Sequence, residues 1–505
     1  MSYRRMLKLP VLALMSVTLS GQVLTSQYDN ARTGTNSHET RLTPANVDPR
    51  QFGKIFPLQV DGDVYAQPLY VPSVPIPGKG TRNVLYVATE HDSVYAFDAE
   101  GREAEPLWKV NFTGSGISTV PARDANCPFI QPEVGITPTP VIDLKSGTLY
   151  VLARTKESQG MLKAPRYTQR LHALAITTGV EKFGGPVEIA TAGFDPLREL
   201  PRAALLLAND QVYMTWASSC DVGPYHGWVM VYDAHTLHQT AVLNTSPGDR
   251  QSGIWQGDMG PAADEAGAVY VATGNGKFDV TSGGRDYGDS LLKVGLEGHT
   301  LAVHDYFTPF DQTWLDQRDL DLGSGGPTLI PPHFIAIGGK AGILYLLDRD
   351  RLRIDRPGSE RKELQSIRAG GGIYEAAAYW NSHLYLTSGD YLSDIPLREG
   401  RFSEQPVARA TGKFANQAGS PAISANGNVN GIVWGIENKA WNGEDRPAIL
   451  HAWEAANVAH ELYNSEMNAT RDRAGLTLRF TIPTVANGRV YIGTKGEIDV
   501  YGLLH

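Results

Sequence analysis

A short unit recurs along this chain and restricts its fold more than any other feature. At Leu85–Ala99 it reads LYVATEHDSVYAFDA: an aliphatic-aromatic run, a polar turn, and a second run ending in aromatic-Asp. Divergent copies cover Tyr65–Asp98, Thr137–Leu174, Ala203–Asp233, Gly260–Val294, Gly326–Asp348, Ile373–Thr387, Gly419–Trp453 and Ile482–Leu503. That is about eight units, roughly 40–60 residues apart, the spacing of propeller blades. The runs are short and punctuated by Gly, Pro, Asn and Asp, and long helical periodicity is absent, which predicts many strands joined by turns. One four-stranded sheet cannot bury both faces alone. A ring of such sheets buries each against its neighbours and leaves only short edges. A β-helix uses much shorter rungs than these units. The expected fold is all-β: a single β-propeller of about eight four-stranded antiparallel blades. The chain ends in a strand pattern at Glu497–Leu503. Phe52–Val60 is expected to pair with it, so that strands near both termini close the ring.

Length and charge add boundaries. A chain of 505 residues suggests several domains, but repeats extend one continuous core instead. A net charge of −9 argues against a nucleic-acid partner, which wants a basic footprint. The first residues carry Arg4, Arg5 and Lys8, then apolar Leu9–Leu19, then Ser20, Gly21 and Gln22. That order reads as a secretory signal, and the apolar stretch is shorter than the roughly 20 residues a bilayer needs. The expected organisation is a leader over 1–26 and a propeller domain over 27–505. The protein would be periplasmic or secreted, with no membrane span after the leader. Export puts Cys127 and Cys220 in an oxidising compartment. They are either bridged or two small buried residues, and spacing does not decide between these.

Long loops are expected at Ser73–Asn83, Gly114–Val134, Gly276–Asp289, Tyr306–Gly323, Tyr391–Asn416 and Ser465–Leu478. In a propeller such loops rim one face and build a site over the central channel.

The repeats resemble those of pyrroloquinoline-quinone (PQQ) propellers, the quinoprotein alcohol dehydrogenases and their relatives. Asp98-Ala99-x-Gly101 followed by Leu107-Trp108 is similar to their blade signature, in which the Trp docks between adjacent blades. Asp233-Ala234 and Asp348-Arg349-Asp350 look like degenerate copies. The chain as a whole, including the opening Tyr28-Asp29-Asn30-x-Arg32-Thr33-Gly34-x-Asn36, is more like a group of exported PQQ-like propeller proteins than a true alcohol dehydrogenase.

The resemblance implies a site. Thr273-Gly274-Asn275-Gly276 looks like the family's strand end whose Asn oxygen ligates calcium, a hard cation suited to carbonyl oxygen. Asp221, ahead of His226-Gly227, falls where the family has a Glu metal ligand. Thr308-Pro309-Phe310-Asp311 and Asp319-Leu320-Asp321 resemble the segment carrying the catalytic base, so the resemblance makes Asp319 or Asp321 that base. Lys340, before Gly342 and Ile343–Asp348, is similar to the cation on the quinone oxygens. Cys127 falls near the family's vicinal Cys pair, and Trp255 near the Trp under the cofactor. The implied cofactors are PQQ and Ca²⁺, and the implied substrate is an alcohol or sugar. The chain departs from the family in four ways. The adjacent Cys is missing, the Glu ligand would be an Asp, the Asp319-Leu320-Asp321 segment has lost the family's aromatics, and no Cys-x-x-Cys-His haem tail is present.

Each residue also has a plain reading. Asn275 before Gly276 fits a hairpin turn. Asp319 and Asp321 share an acidic loop with Asp311 and Asp316, and Lys340 fits a surface hairpin. Asp279, Asp286 and Asp289 form an oxygen-rich stretch without EF-hand spacing. His91, His226 and His304 sit at loop positions without zincin spacing. Trp434 and Trp453 fit blade packing. Two functions of different class follow. One is a quinoprotein-type oxidoreductase. The other is a non-catalytic propeller binding an envelope protein, peptide or polysaccharide on its loop-rich face.

Overall fold

A computed structural model describes residues 21–160, 162–353, 359–410, 412, 414, 417–438 and 446–504. Residues 1–20 of the expected leader lie outside them. The strands form eight sheets, each with an antiparallel core of four strands. The first blade shows the pattern: Leu69–Ile76, Gly80–Ala88, Ser93–Asp98 and Trp108–Asn111 pair in chain order. The last blade is completed as expected. Thr484–Ala486, Arg489–Thr494 and Glu497–Leu503 are followed outward by Phe52–Gln59, with Phe52 opposite Leu503 and Leu58 opposite Ile498. No helix among the described residues is long and apolar enough to cross a membrane.

The repeat motif explains the packing. Ser93–Asp98 is buried along its whole length because neighbouring blades cover both faces, whereas the outermost Phe52–Gln59 tends to alternate. The Tyr of the Leu-Tyr-Val type triplet reaches across the gap between blades. Tyr86 donates to the Ile176 carbonyl (2.9 Å), Tyr150 to Ala234 (2.8 Å), Tyr385 to Ala455 (2.8 Å) and Tyr491 to Ala99 (3.1 Å). A buried phenol needs such a partner, so one residue type supplies both apolar area and blade registry. Trp108 docks as its motif predicts: its indole N–H donates to the Ile176 carbonyl of the next blade at 3.0 Å. Trp434 and Trp453 are fully buried in the blades.

Two expected loops are corrected. Ser73–Asn83 is the extended end of a hairpin, because strands Leu69–Ile76 and Gly80–Ala88 run through it. Tyr391–Asn416 opens with strand Tyr391–Arg398 and adds the short strands Arg401–Phe402 and Ala408–Arg409.

The first strands of the blades line the central channel, and the segment from Val23 to Asn36 runs through it as a strap. It hydrogen-bonds to all eight blades. Val23 pairs with Tyr70, Leu24 accepts from the Ile142 N–H, and Asn30 joins Leu207 and Ala263. Ala31, Thr33 and Gly34 accept from Leu329, Tyr379 and Ile423, and the Tyr28 hydroxyl bridges Pro483 and Val485. Arg32 is fully buried. It donates to the carbonyls of Pro261 (2.9 Å), Ser26 (2.7 Å) and Leu205 (3.3 Å) and to the Thr25 hydroxyl (2.8 Å). Gly34 sits at φ +68°, with Ala378 Cβ only 2.9 Å from where its own Cβ would be, so only glycine fits without displacement. Val23 to Ser26, counted with the leader in the expected organisation, are part of this strap.

Candidate functional site at the channel mouth

The loops that lead into the first strands, and those joining second to third strands, gather on one face of the ring. They line an open pocket of about 150 Å³. Its lining includes Cys127, Asp221, Trp255, Asp321 and Lys340, which the sequence singled out, together with Arg202, Tyr374, Arg479 and Phe480, which it did not.

Cys127 and Cys220 form a disulfide, with Cα atoms 5.4 Å apart. The bridge spans 93 residues and lies in the pocket wall, so the alternative of two separate buried thiols does not hold. Trp255 also lines the pocket. The Tyr225 ring stands edge-on to it at 6.0 Å, and the Trp255 indole N–H has no hydrogen-bond partner. The Tyr225 hydroxyl donates to Asp221 at 2.7 Å. Asp221 is exposed at the rim.

Asp321 is 3 % exposed and held from two sides. One carboxylate oxygen accepts the Asn275 backbone N–H at 2.6 Å, and the other lies 2.5 Å from the Lys340 ammonium. Lys340 also reaches the more exposed Asp319 at 2.7 Å, and Asp319 accepts from the Asn275 side-chain amide at 2.7 Å. Four residues from three loops therefore meet at one point. Burial pushes the Asp321 carboxyl up against the pull of Lys340. Burial alone would lower Lys340, but the charges and hydrogen bonds of Asp321 and Asp319 together outweigh it and hold the ammonium above its ordinary value. Close backbone approach makes this possible. A Cβ on Gly274 would stand 2.2 Å from the Asp321 carboxylate and 2.8 Å from the Trp255 ring. Behind Asp321 lies Asp289, whose carboxylate accepts the Leu322 N–H at 3.1 Å. Burial, then the Asp321 charge, pushes Asp289 up to about 8.

The other oxygen-rich and His positions resolve into structural pairs. Lys277 neutralises Asp279 (2.7 Å) and Asp286 (3.5 Å). His91 pairs with Glu133, His226 with Ser246 and His304 with Glu297. Among the described residues no group of three His, Cys, Asp or Glu could hold a metal.

These donors fit the two implied cofactors unequally. A flat tricarboxylated quinone fits a pocket walled by an indole and a disulfide, with Lys340, Arg202 and Arg479 on its lining. Calcium wants six to eight oxygens. The buried Asn275 side-chain oxygen lacks a partner, but Asp221 gives one oxygen to Tyr225 and Lys340 already supplies the positive charge beside Asp319 and Asp321. The protein side chains do not form a calcium cage.

No protein-family model and no curated protein sequence matches the chain. Solved structures do. A quinohemoprotein alcohol dehydrogenase from Pseudomonas putida HK5 superposes with a TM-score of 0.64 at 13% identity, over 96% of this chain and 80% of that one. The enzyme of the same type from Comamonas testosteroni gives 0.62 at 15% identity, over 95% and 80%. The fold is theirs. A europium-containing methanol dehydrogenase gives 0.63 at 13% identity, over 96% and 98%. BamB from Moraxella catarrhalis gives 0.53 at 14% identity, over 89% and 99%. At these identities the likeness shows the propeller fold alone.

The residues that the sequence alone did not single out were marked by the repeat register. Arg202, Gly257, Ser324, Tyr374, Gln417 and Phe480 all stand two to seven residues before a first strand or its paired end, where each loop turns into the channel mouth.

Proposed function

We propose that the pocket holds a flat anionic quinone of the PQQ type and that the chain is an exported quinoprotein-type oxidoreductase acting on an alcohol or sugar. The supporting observation is convergence. The disulfide, Trp255, Asp321 and Lys340 come from five separate stretches of sequence and line one cavity. Bound there, the quinone would accept hydride from the carbon bearing the substrate hydroxyl. Asp321 is the base that takes the hydroxyl proton: burial raises its carboxyl, while Lys340 and the Asn275 N–H favour the ionised form that a base needs. Asn275 orients Asp321 through its backbone N–H, and Asp319 holds Lys340 in place. Lys340 stabilises negative charge on the quinone oxygens. Trp255 and the Cys127–Cys220 bridge form the flat walls and exclude water. Asp221 and Asn275, the expected calcium ligands, act instead on Tyr225 and on the acidic loop.

The leader pattern and the disulfide together support a periplasmic or secreted location. Because Val23 to Ser26 belong to the strap, we place any cleavage before Val23.

The test is reconstitution with PQQ, with and without Ca²⁺, followed by desalting. Retained quinone absorbance and dye reduction with an alcohol or sugar are expected, with Ca²⁺ adding little. If no quinone is retained in either arm, the second reading takes over: a binding propeller for an envelope protein or polysaccharide. One observation favours that reading. Lys340 already has two carboxylate partners, Asp319 and Asp321, without a cofactor.

A further inference from the structure

The face of the ring opposite the mouth carries a second hollow. It is an open groove of about 570 Å³ between two neighbouring blades, within the roughly 300–1,000 Å³ of ligand pockets. One blade holds Ala378–Trp380 and His383–Ser388; the other holds Ala422–Asn426, Val429–Glu437 and Ile449–Glu454. The groove is built from the turns that join first to second strands and from the turn that follows the third strand at Glu454. Antiparallel pairing puts those turns at the other end of the strands from the loops of the mouth.

Its wall has three parts. Trp380 ends its strand and crosses to the next blade, where the indole N–H donates to the Gly427 carbonyl at 2.9 Å. Its ring lies against the Gly431 backbone, where a Cβ would stand 2.6 Å from it. The indole is thus fixed between two blades and still partly exposed. His383 is the second part. Its Nδ1 lies 2.7 Å from the carboxylate of Asp394, which is buried. With the Nδ1 proton given to that carboxylate, the other ring nitrogen is an acceptor. The third part is a set of amides. Asn381, Asn428 and Asn430 line the groove, and their side chains make no hydrogen bond with any described residue. Each amide offers two donors and an acceptor.

Charge narrows the ligand. Among the described residues the lining carries the Glu454 carboxylate and no Lys or Arg, and Asp394 stands behind His383. An anion would meet carboxylates there and no fixed cation. A neutral molecule with an apolar face and a rim of hydroxyls meets matching chemistry. A hydroxyl donates and accepts, as an amide does, and an indole face packs against the C–H face of a saturated ring.

We propose that this groove binds a neutral oligosaccharide, with Trp380 against a sugar ring and Asn381, Asn428 and His383 on its hydroxyls. A glycan held on this face leaves the mouth open. The site is separate from the mouth and does not depend on whether the mouth takes up a quinone.

The test uses the full chain without PQQ and titrates maltohexaose, cellohexaose, mannohexaose and chitohexaose by calorimetry. Hexagalacturonate is the acidic control and a neutral hexapeptide the peptide control. At least one neutral hexasaccharide is expected to bind with a Kd of ~1 mM or tighter, and at least about tenfold more tightly than hexagalacturonate. Trp380→Ala should lower that affinity at least about tenfold. Because Trp380 also joins two blades, a second variant works on exposed turns alone. Asn381→Gly combined with Asn428→Ala removes two amides, and glycine accepts the φ of +52° that Asn381 holds. It should weaken binding several-fold with an unchanged denaturation midpoint. Glu454→Lys should raise hexagalacturonate binding to at least that of the neutral sugar. The proposal is overturned if no neutral hexasaccharide binds, or if hexagalacturonate or the hexapeptide binds the parent as tightly. It is overturned equally if the affinity survives both groove variants, since the sugar then sits elsewhere, or if Glu454→Lys leaves the selectivity where it was. Quinone retention at the mouth is read separately by its absorbance, so failure of either reading leaves the other standing.

Discussion

The two ends of the central channel treat polar groups in opposite ways. Along the first strands, the strap fills the channel and pairs most of its polar groups, the buried Gln27 amide being an exception. Arg32 places four donors on four oxygens, and the strap reaches every blade through its backbone or through Asn30 and Tyr28 side chains. At the mouth, the indole N–H of Trp255 and the side-chain oxygen of Asn275 are left without partners among the described residues. Buried polar groups in a folded chain are normally paired. The pairing of Arg32 and of the strap backbone therefore serves stability, whereas the unpaired Trp255 indole N–H on the pocket wall is open to something that arrives later. The same residue type marks the contrast: Arg32 places four donors inside the fold, and Arg202 places its Nε on the Gly257 carbonyl and lines the pocket.

The largest effect that could break this comparison is on stability. Arg32→Ala should destabilise the ring by at least about 4 kcal/mol, because several buried acceptors each lose a partner at about 1–3 kcal/mol. Chemical denaturation reads this directly. Arg202→Gln should change the same midpoint by less than about 2 kcal/mol while altering ligand binding. If the two substitutions cost the same, the division between a structural end and a ligand end is wrong.

The next effect is on chemistry. Asp321→Asn, in protein loaded with PQQ, should lower dye reduction by about 10²–10⁴-fold, the range for loss of a general base. Quinone retention should hardly change, since Lys340 keeps Asp319 as a partner. A variant with normal turnover would move the proton-transfer role elsewhere. Gly274→Ala makes a sharper version. Its new Cβ would push on both Asp321 and Trp255, so it should lower turnover and quinone retention together.

How much of this was legible follows the same divide. The ring could be read from the sequence because the blades vary one solution: in four of them a Tyr bridges to the next blade, and the first adds an aromatic-Asp strand end and a Trp that docks on its neighbour. Tyr86, Tyr150, Tyr385 and Tyr491 do the same work at matching positions, so divergence at other sites does not hide the period. Phe52–Gln59 was readable as the closing strand because the final blade ended one strand short. The meeting of Asp321 with Lys340 was legible only through family motifs, since no local spacing brings the two loops together. The strap's motif stands out in the sequence but its role does not, because its partners lie up to several hundred residues away and are mostly backbone N–H and C=O groups. Arg202 and Arg479 were missed because each is a lone charged residue in an unremarkable loop. Only the ring geometry sets them against one Phe ring.

The disulfide belongs to the ligand end, and its loss should sharpen the contrast at intermediate size. Joint Cys127→Ser and Cys220→Ser substitution opens a loop of 93 residues and should cost about 2–4 kcal/mol. The expected signature is a lower denaturation midpoint together with weaker quinone retention, because the bridge is part of the pocket wall. A loss of stability with unchanged retention would make the bridge a brace for the ring and nothing more.

The smallest effect concerns pH. Glu199 stands behind the mouth, accepting the His226 backbone N–H (3.2 Å) and the Trp228 indole N–H (3.2 Å). Burial pushes its carboxyl up from the ordinary 4.5 to about 8. A raised carboxyl means that the folded chain holds a proton the unfolded chain has released. Between about pH 4.5 and 8 the folded state therefore binds more protons, and stability falls as pH rises through that window, levelling off above it. Asp289, also raised to about 8, adds to the same slope. Denaturation midpoints should be higher at pH 5 than at pH 8. Glu199→Gln keeps the acceptor oxygen but cannot ionise, so it should flatten the slope by about 1–2 kcal/mol across the window. At pH 5 it should be nearly neutral, and at pH 8 it should be more stable than the parent. A variant that shifts both midpoints equally would mean that Glu199 contributes packing rather than an ionisation cost, and the mouth would then be less strained electrostatically than its buried acids imply.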